Sequence, residues 1–416
     1  MERAILVGCS DLRSDGQQFH YAMEELKNLA KTAEAEVAAV VTQSRPKPDP
    51  ATYIGRGKAE EIAALCKETE AETVIFNGEL SPTQQANLAE LLNVKVIDRT
   101  QLILDIFAKR ARSREGRLQV ELAQLEYLLP RLSGMGESLS RLGGGIGTRG
   151  PGETQLETDR RHIRRRIGEI KKQLADVVRH RGLYRARRKK SDWFRIALVG
   201  YTNAGKSTLF NRLTSADAYE EDLLFATLDP LTRRFRTPSG FTTLMTDTVG
   251  FIQQLPTGLI AAFRSTLEEV KEADLLVHVV DLSHPNRNQH IRTVDELLGD
   301  LGAGAIPKLM IFNKRDLCSD PYGAVEGDRA VSALDEADID RIKRMIEDAI
   351  VAECRPYRTV VPAAEGGLMA RLETGTIVAS KTWQDEEQAF LYSGYVWPAS
   401  PLYIQLRGKG DPAGNV

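Results

Sequence analysis

Cysteine is scarce in this chain. Only Cys9, Cys66, Cys318 and Cys354 occur among 416 residues, with no C-x-x-C pair and no cluster of cysteine with histidine. A disulfide framework and a structural zinc are both disfavoured, and four scattered thiols are expected to be small buried hydrophobes in a reducing compartment. Long apolar runs are missing too: nothing approaches the roughly 20 residues that span a bilayer, so no membrane-spanning segment is expected. The start, MERAILVGCSDLRSDG, carries acidic residues early and an apolar stretch too short for a secretory leader. The expected location is the cytoplasm. Net charge is nearly absent as well, at −2, and that total by itself says nothing about partners.

The distribution of charge says more. Between Lys109 and Lys190 there are 22 Lys+Arg against 9 Asp+Glu, an excess of 13 positive charges, so the rest of the chain carries an excess of 15 negative ones. Such asymmetry is a mark of nucleic-acid contact. A length of 416 residues with 42% apolar and 27% charged residues predicts two to four ordinary soluble domains.

Residues 1 to about 106 alternate strand-like runs (AILVGCS, EVAAVVTQ, TVIFNG, VKVID) with helix-like ones. In one of these, Ser81 stands as N-cap before Pro82. Alternation of this kind predicts a small α/β domain with a mainly parallel sheet, taken as residues 1–115. Then the period changes. Leu118, Leu122, Leu125, Leu129 and Leu132 are spaced 4, 3, 4, 3, and Ile163, Ile167, Ile170, Leu174 and Val177 repeat that spacing. Two narrow heptad seams predict an antiparallel helical hairpin over 116–190. Its connection, about 133 to 152, includes GGGIGTRGPG, with six glycines in ten residues, and holds Arg141 and Arg149. Glycines let a backbone approach phosphates closely, so a contact loop is favoured over a slack linker. After RARRKKSDW the alternation returns, giving a third domain at 191–354. A last segment, 355–416, has short apolar runs that suggest a small α+β domain.

The chemistry sits in the third domain. GYTNAGKST (Gly200, Tyr201, Thr202, Asn203, Ala204, Gly205, Lys206, Ser207, Thr208) follows the strand IALV and precedes the apolar helix STLFNRLT. It matches G-x-x-x-x-G-K-[ST] in the setting that motif requires. Its N–H groups suit a β-phosphate, Lys206 the β and γ oxygens, and the Ser207 hydroxyl Mg²⁺. Asp247-Thr248-Val249-Gly250 ends the strand TTLMT. A carboxylate there can hold the Mg²⁺ shell, and the Gly250 N–H can meet a γ-phosphate. Asn313-Lys314-Arg315-Asp316 ends the strand KLMIF. A carboxylate at Asp316 can accept hydrogen bonds from N1–H and the 2-amino group of guanine, a pair that adenine lacks, so the set selects GTP. Ser332, Ala333 and Leu334 suit the last base-contacting loop. A threonine should close over Mg²⁺ when γ-phosphate is present. Thr227 in FATLDPLTRRF lies where it belongs, and Thr232 competes with it. Lys206, Thr227 and Gly250 are the residues expected to act on the reaction itself. What stands after DTVG is Phe251, where a glutamine could orient the attacking water, so slow intrinsic hydrolysis is expected.

Several stretches carry a more specific likeness: ATYIGRGKAEEI, ELSPTQQANL, VKVIDRTQLILDIFAKRARSREGRLQVELAQLEYLLPRL and GGGIGTRGPGETQLETDRRHIRRRI. With them the chain resembles the HflX family of ribosome-associated GTPases over nearly its whole length. The resemblance implies a Mg²⁺-dependent GTPase that binds the large ribosomal subunit, reaches its RNA through the glycine loop, and splits or rescues stalled ribosomes under stress. Arg141, Arg149, Arg160 and Arg161 are the expected RNA contacts, and a monomer is expected. Asn203 resembles an asparagine that binds K⁺ in some GTPases of this kind. The family's N-terminal region has also been linked to ATP. The alternative is therefore an ATP-driven RNA or ribosome remodeller with a regulatory GTPase domain, although residues 1–190 contain no P-loop. The segment from 355 matches the family least.

Overall fold

A computed structural model describes residues 2–11, 16–132, 151–188, 193–214, 224–225, 229–252, 269–318 and 329–407. The chain forms two compact units. The first is Met1–Arg179 together with a short piece that includes Leu224 and Phe225; the second holds most of the remainder, from His180 to Val416.

In the first unit, β1 (Arg3–Ser10), β2 (Glu36–Ser44), β3 (Thr73–Phe76) and β4 (Lys95–Asp98) form a parallel sheet in the order β2-β1-β3-β4. β1 and β3 read as unbroken apolar runs because central strands of a parallel sheet are covered on both faces. Helices α1 (Gly16–Thr32), α2 (Arg56–Thr69), α3 (Pro82–Leu92) and α4 (Arg99–Arg110) connect or follow the strands. α3 starts as Ser81-Pro82 predicts. The Ser81 hydroxyl accepts from the Gln84 N–H at 3.2 Å, and the Gln84 side chain accepts from the Ser81 N–H at 2.9 Å. α4, which the alternation did not mark, is started by Asp98: its Oδ1 accepts from the Gln101 N–H at 2.9 Å. α5 (Arg114–Leu128) and α6 (Pro151–Arg188) carry the two heptad seams. They are tied side to side by Arg166–Glu121 (2.6 Å) and Lys171–Glu126 (2.8 Å), with Leu118, Ile167 and Ile170 buried. The glycine-rich connection at 133–150 lies outside the described residues. Phe225 is also buried in this unit, edge-on to Phe107 of α4 at 4.6 Å, and its neighbour Leu224 donates its N–H to Thr32 Oγ1 at 3.2 Å.

In the second unit, β5 (Arg195–Val199), β6 (Leu231–Arg236), β7 (Thr242–Asp247), β8 (Leu275–Asp281) and β9 (Lys308–Asn313) form a sheet in the order β6-β7-β5-β8-β9. β6 runs antiparallel at one edge and the other pairs are parallel. Helices α7 (Lys206–Thr214), α8 (Arg287–Asp300) and α9 (Glu336–Glu353) accompany it. Phe194, Leu198, Phe210, Met245, Val277, Ile342 and Ile346 fill its core. The chain leaves β5 toward β7 and later returns to β8 on the other side. The carboxyl end of β5 is therefore the topological switch point, where open α/β sheets bind ligands. The last segment folds as β10 (Arg355–Pro362), β11 (Ile377–Gln384) and β12 (Ala389–Val396), an antiparallel sheet in the order β10-β12-β11, with α10 (Gly366–Gly375) and α11 (Pro401–Arg407). Tyr357, Leu372, Tyr392 and Leu402 form its small core.

Candidate nucleotide-binding site

The loop between β5 and α7 turns on residues that tolerate unusual backbone. Gly200 has φ +151°, and a Cβ there would lie 2.2 Å from the carbonyl oxygen of Val279. Gly205 has φ +90°, and a Cβ would lie 2.2 Å from Asn313 Nδ2. Asn203 takes the left-handed conformation at φ +60° and is exposed. Lys206 is buried, and its Nζ donates to the carbonyls of Gly200 (3.1 Å) and Tyr201 (2.8 Å). Burial, opposed by nearby Asp247, brings its pKa down to about 8. An ammonium held at that cost, with two carbonyls as its acceptors among the described residues, is a ready partner for phosphate oxygens. Tyr201 itself is stacked flat on His290 of α8, with ring centroids 3.7 Å apart.

Asp247 closes β7. Its Oδ2 accepts from the Ser207 hydroxyl at 2.8 Å. A hydroxyl and a buried carboxylate facing each other at the mouth of a phosphate loop are hard oxygen donors of the kind Mg²⁺ takes. Thr248 is committed elsewhere, its hydroxyl donating to Leu198 O at 2.6 Å. Next comes a contact with the phosphate loop: the Phe251 N–H donates to Gly200 O (3.1 Å), and the Thr202 N–H donates to Phe251 O (2.7 Å). Gly250 is thereby laid on the loop. A Cβ there would lie 2.8 Å from Thr202 Cα and 3.1 Å from Lys206 Nζ, so only glycine fits. The Phe251 ring is 2% exposed and has no group with which to orient water. Thr227 lies outside the described residues. Thr232 is part of β6, with its hydroxyl against that of Thr246 at 2.9 Å.

The base corner is assembled across about 130 residues of sequence. Asn313 is buried at the end of β9. Its Nδ2 donates to Ala204 O and its Oδ1 accepts from the Ala333 N–H, both at 2.9 Å, so one side chain clasps the phosphate loop to the last loop. Lys314 takes φ +64° and pairs with Asp281 at 2.9 Å. Asp316 stands exposed, held by a 2.6 Å hydrogen bond from the Ser332 hydroxyl. In the last loop, the Ala333 N–H is taken by Asn313, whereas that of Leu334 makes a long contact of 3.3 Å to Ser332 Oγ.

Sequence reasoning missed the supports. Asp338 of α9 accepts from the Ser332 N–H at 2.7 Å and pairs with Arg315 and Arg341. Asp281 and the Tyr201–His290 stack were also missed. Of these, only Asp281, at the end of the apolar run LLVHVV, left a trace in the sequence. Arg160 and Arg161 lie on α6, half-buried and exposed respectively, while Arg141 and Arg149 fall outside the described residues. Among the cysteines, Cys66 and Cys354 are buried as expected, but Cys9 and Cys318 are only half-buried. Among the described residues no helix is long and apolar enough to cross a membrane.

Three family profiles match in succession. Residues 20–108 match the N-terminal part of a GTP-binding GTPase, 110–188 its middle region, and 195–314 a 50S ribosome-binding GTPase. The chain is 54% identical over 411 residues to the GTPase HflX of Alkalihalophilus pseudofirmus, covering 98% of this chain and 97% of that protein. It is 44% identical over 372 residues to the GTPase HflX of Escherichia coli K12, covering 88% and 87%. Among solved structures, it is similar to a GTP-binding protein from Sulfolobus solfataricus in complex with GDP, at 25% identity, covering 84% of this chain and 98% of that one, with a TM-score of 0.46.

Proposed function

The chain belongs to the HflX family of GTPases and hydrolyses GTP, and from that premise we propose that it grips the large ribosomal subunit when GTP-loaded, splits or rescues stalled ribosomes, and leaves on hydrolysis. The observation that carries the nucleotide half is the Asn313 clasp, which sets Asp316 and the Ala333–Leu334 amides beside the phosphate loop. In this reading Lys206 exchanges its two carbonyl partners for phosphate oxygens, and Ser207 and Asp247 hold Mg²⁺, which supplies charge neutralisation. Thr227 completes the closure. For Gly250 to meet a third phosphate, the backbone pairing of Phe251 with Gly200 and Thr202 must open. That pairing gives the γ-phosphate something to act on. Because Phe251 cannot orient water, turnover depends on help from the ribosome, and K⁺ beside the exposed Asn203 is a second candidate aid.

The ribosomal half is supported by the 50S ribosome-binding GTPase profile over 195–314 and by the excess of 13 positive charges between Lys109 and Lys190. Arg141, Arg149, Arg160 and Arg161 are the proposed RNA contacts of the basic arm, in a cytoplasmic monomer. Co-sedimentation with purified large and small subunits tests the whole reading. Pelleting with the large subunit is expected with a non-hydrolysable GTP analogue and not with GDP. Equal pelleting in both states defeats it.

A further inference from the structure

The free edge of the GTPase sheet is strongly basic. β6 is the terminal strand of its sheet, so every second residue turns its N–H and C=O away from the ladder. Its sequence, LTRRFR, places Arg233, Arg234 and Arg236 on that edge, and all three are exposed. Phe235 alone turns into the core, at 0% exposure. Alternation puts Arg234 and Arg236 on one face and Arg233 on the other, so positive charge wraps the edge from both sides. Among the described residues none of the three pairs with a carboxylate; the polar contact of Arg233 is with the carbonyl of Thr232 at 3.1 Å. The guanidinium of Arg234 lies over the ring of Trp193, 5.4 Å from its centroid. In sequence Trp193 closes the run Arg185, Arg187, Arg188, Lys189, Lys190.

Resting on the ribosomal reading for the identity of the RNA, we infer that the β6 edge is a second RNA contact surface, in which Arg233, Arg234 and Arg236 bind successive backbone phosphates. Guanidinium forks match phosphate oxygens in pairs. Arg234 and Arg236 repeat at about 6.8 Å along the strand, a spacing on the scale of neighbouring phosphates. The N–H groups that this edge leaves outside the ladder are further donors of the kind that position proteins on nucleic-acid backbones. Contacts of this type carry affinity rather than sequence preference, so any RNA of suitable shape reads them. Charge on an edge strand also guards against strand pairing between molecules. Guarding requires only charge of either sign, and three arginines within four residues beside an aromatic ring go beyond it.

Two probes test this: a fluorescein-labelled RNA hairpin of arbitrary sequence, and purified large ribosomal subunits. R233Q/R234Q/R236Q is expected to weaken hairpin binding at least tenfold near 100 mM salt. It should also flatten the slope of log affinity against log salt by about 2 to 3, each phosphate contact contributing roughly 0.7 to 0.9. R233K/R234K/R236K should keep the slope, and an unchanged melting midpoint checks that both variants fold. If the glutamine variant keeps wild-type affinity and slope, or the wild type does not bind the hairpin, the edge is a guard and the inference falls. If subunit binding is lost while hairpin binding is kept, the edge meets a ribosomal protein and RNA is the wrong occupant. If the hairpin result is as expected but the wild type fails to pellet with subunits, the surface stands and the ribosomal reading falls.

Discussion

In the proposed reading one side chain, Lys206, sets both affinity and its pH dependence. Its two carbonyl acceptors and the facing Asp247 hold a buried ammonium that titrates at about 8. Lys206→Ala should abolish nucleotide binding, measured by titration with a fluorescent GDP; retained tight affinity would remove the site. In the wild type, phosphate favours the charged form. Below pH 8 Lys206 already carries its proton and binding takes none up. Above pH 8 each unit of pH should cost up to tenfold in affinity, with proton uptake visible in calorimetry in buffers of different ionisation enthalpy. In the proposed reading Asp316 sets the choice of base. Asp316→Asn replaces one acceptor of a charged pair with a donor, so GTP affinity should fall on the order of 10²-fold, while xanthosine triphosphate, with a carbonyl at that edge, loses much less. Equal losses for both nucleotides would place the base elsewhere.

At the scale of elements, the join between β5 and β8 buries a carboxyl group whose charge should cost stability. Asp274, just before β8, accepts the Arg195 N–H at 2.8 Å, but burial pushes its pKa up to about 6. A carboxyl raised in the folded state loses stability as pH climbs from its unfolded value through about 6, and the loss is complete above that. Asp274→Asn keeps an acceptor and removes the charge. It should raise the melting midpoint by a few degrees at pH 8 and leave it unchanged at pH 4; a gain of the same size at both pH values would point to packing instead. Element starts were mostly legible where a local cap decides them: Ser81-Pro82 announces α3 because both of its hydrogen bonds are made within four residues. α4 was not marked, because it starts directly on the last residue of β4 and Asp98 serves both. Asp98 Oδ2 also accepts from the Leu80 N–H at 3.0 Å, a contact across 18 residues that no local pattern displays.

For the whole molecule, the central expectation is that the phosphate state governs the grip on ribosomal RNA. Neutralising Arg149 should weaken co-sedimentation with large subunits in the GTP-analogue state several-fold; an unchanged pelleting profile would remove the glycine loop from the contact. The chain alone determined the α/β alternation, the phosphate-loop motif, the Asn313–Asp316 motif and the family likeness, because each is written in contiguous residues whose spacing is dictated by backbone geometry. Tertiary structure alone decided which residues support them. Asn313 joins two loops, Asp338 holds the Ser332 amide from α9, His290 stacks on Tyr201, and Phe225 leaves the GTPase segment of the sequence to fill the core beside Phe107. Apart from Asp338 and Ser332, six residues apart, these pairs are distant in sequence, and a hydrogen bond or a ring contact formed through space leaves no period or motif along the chain.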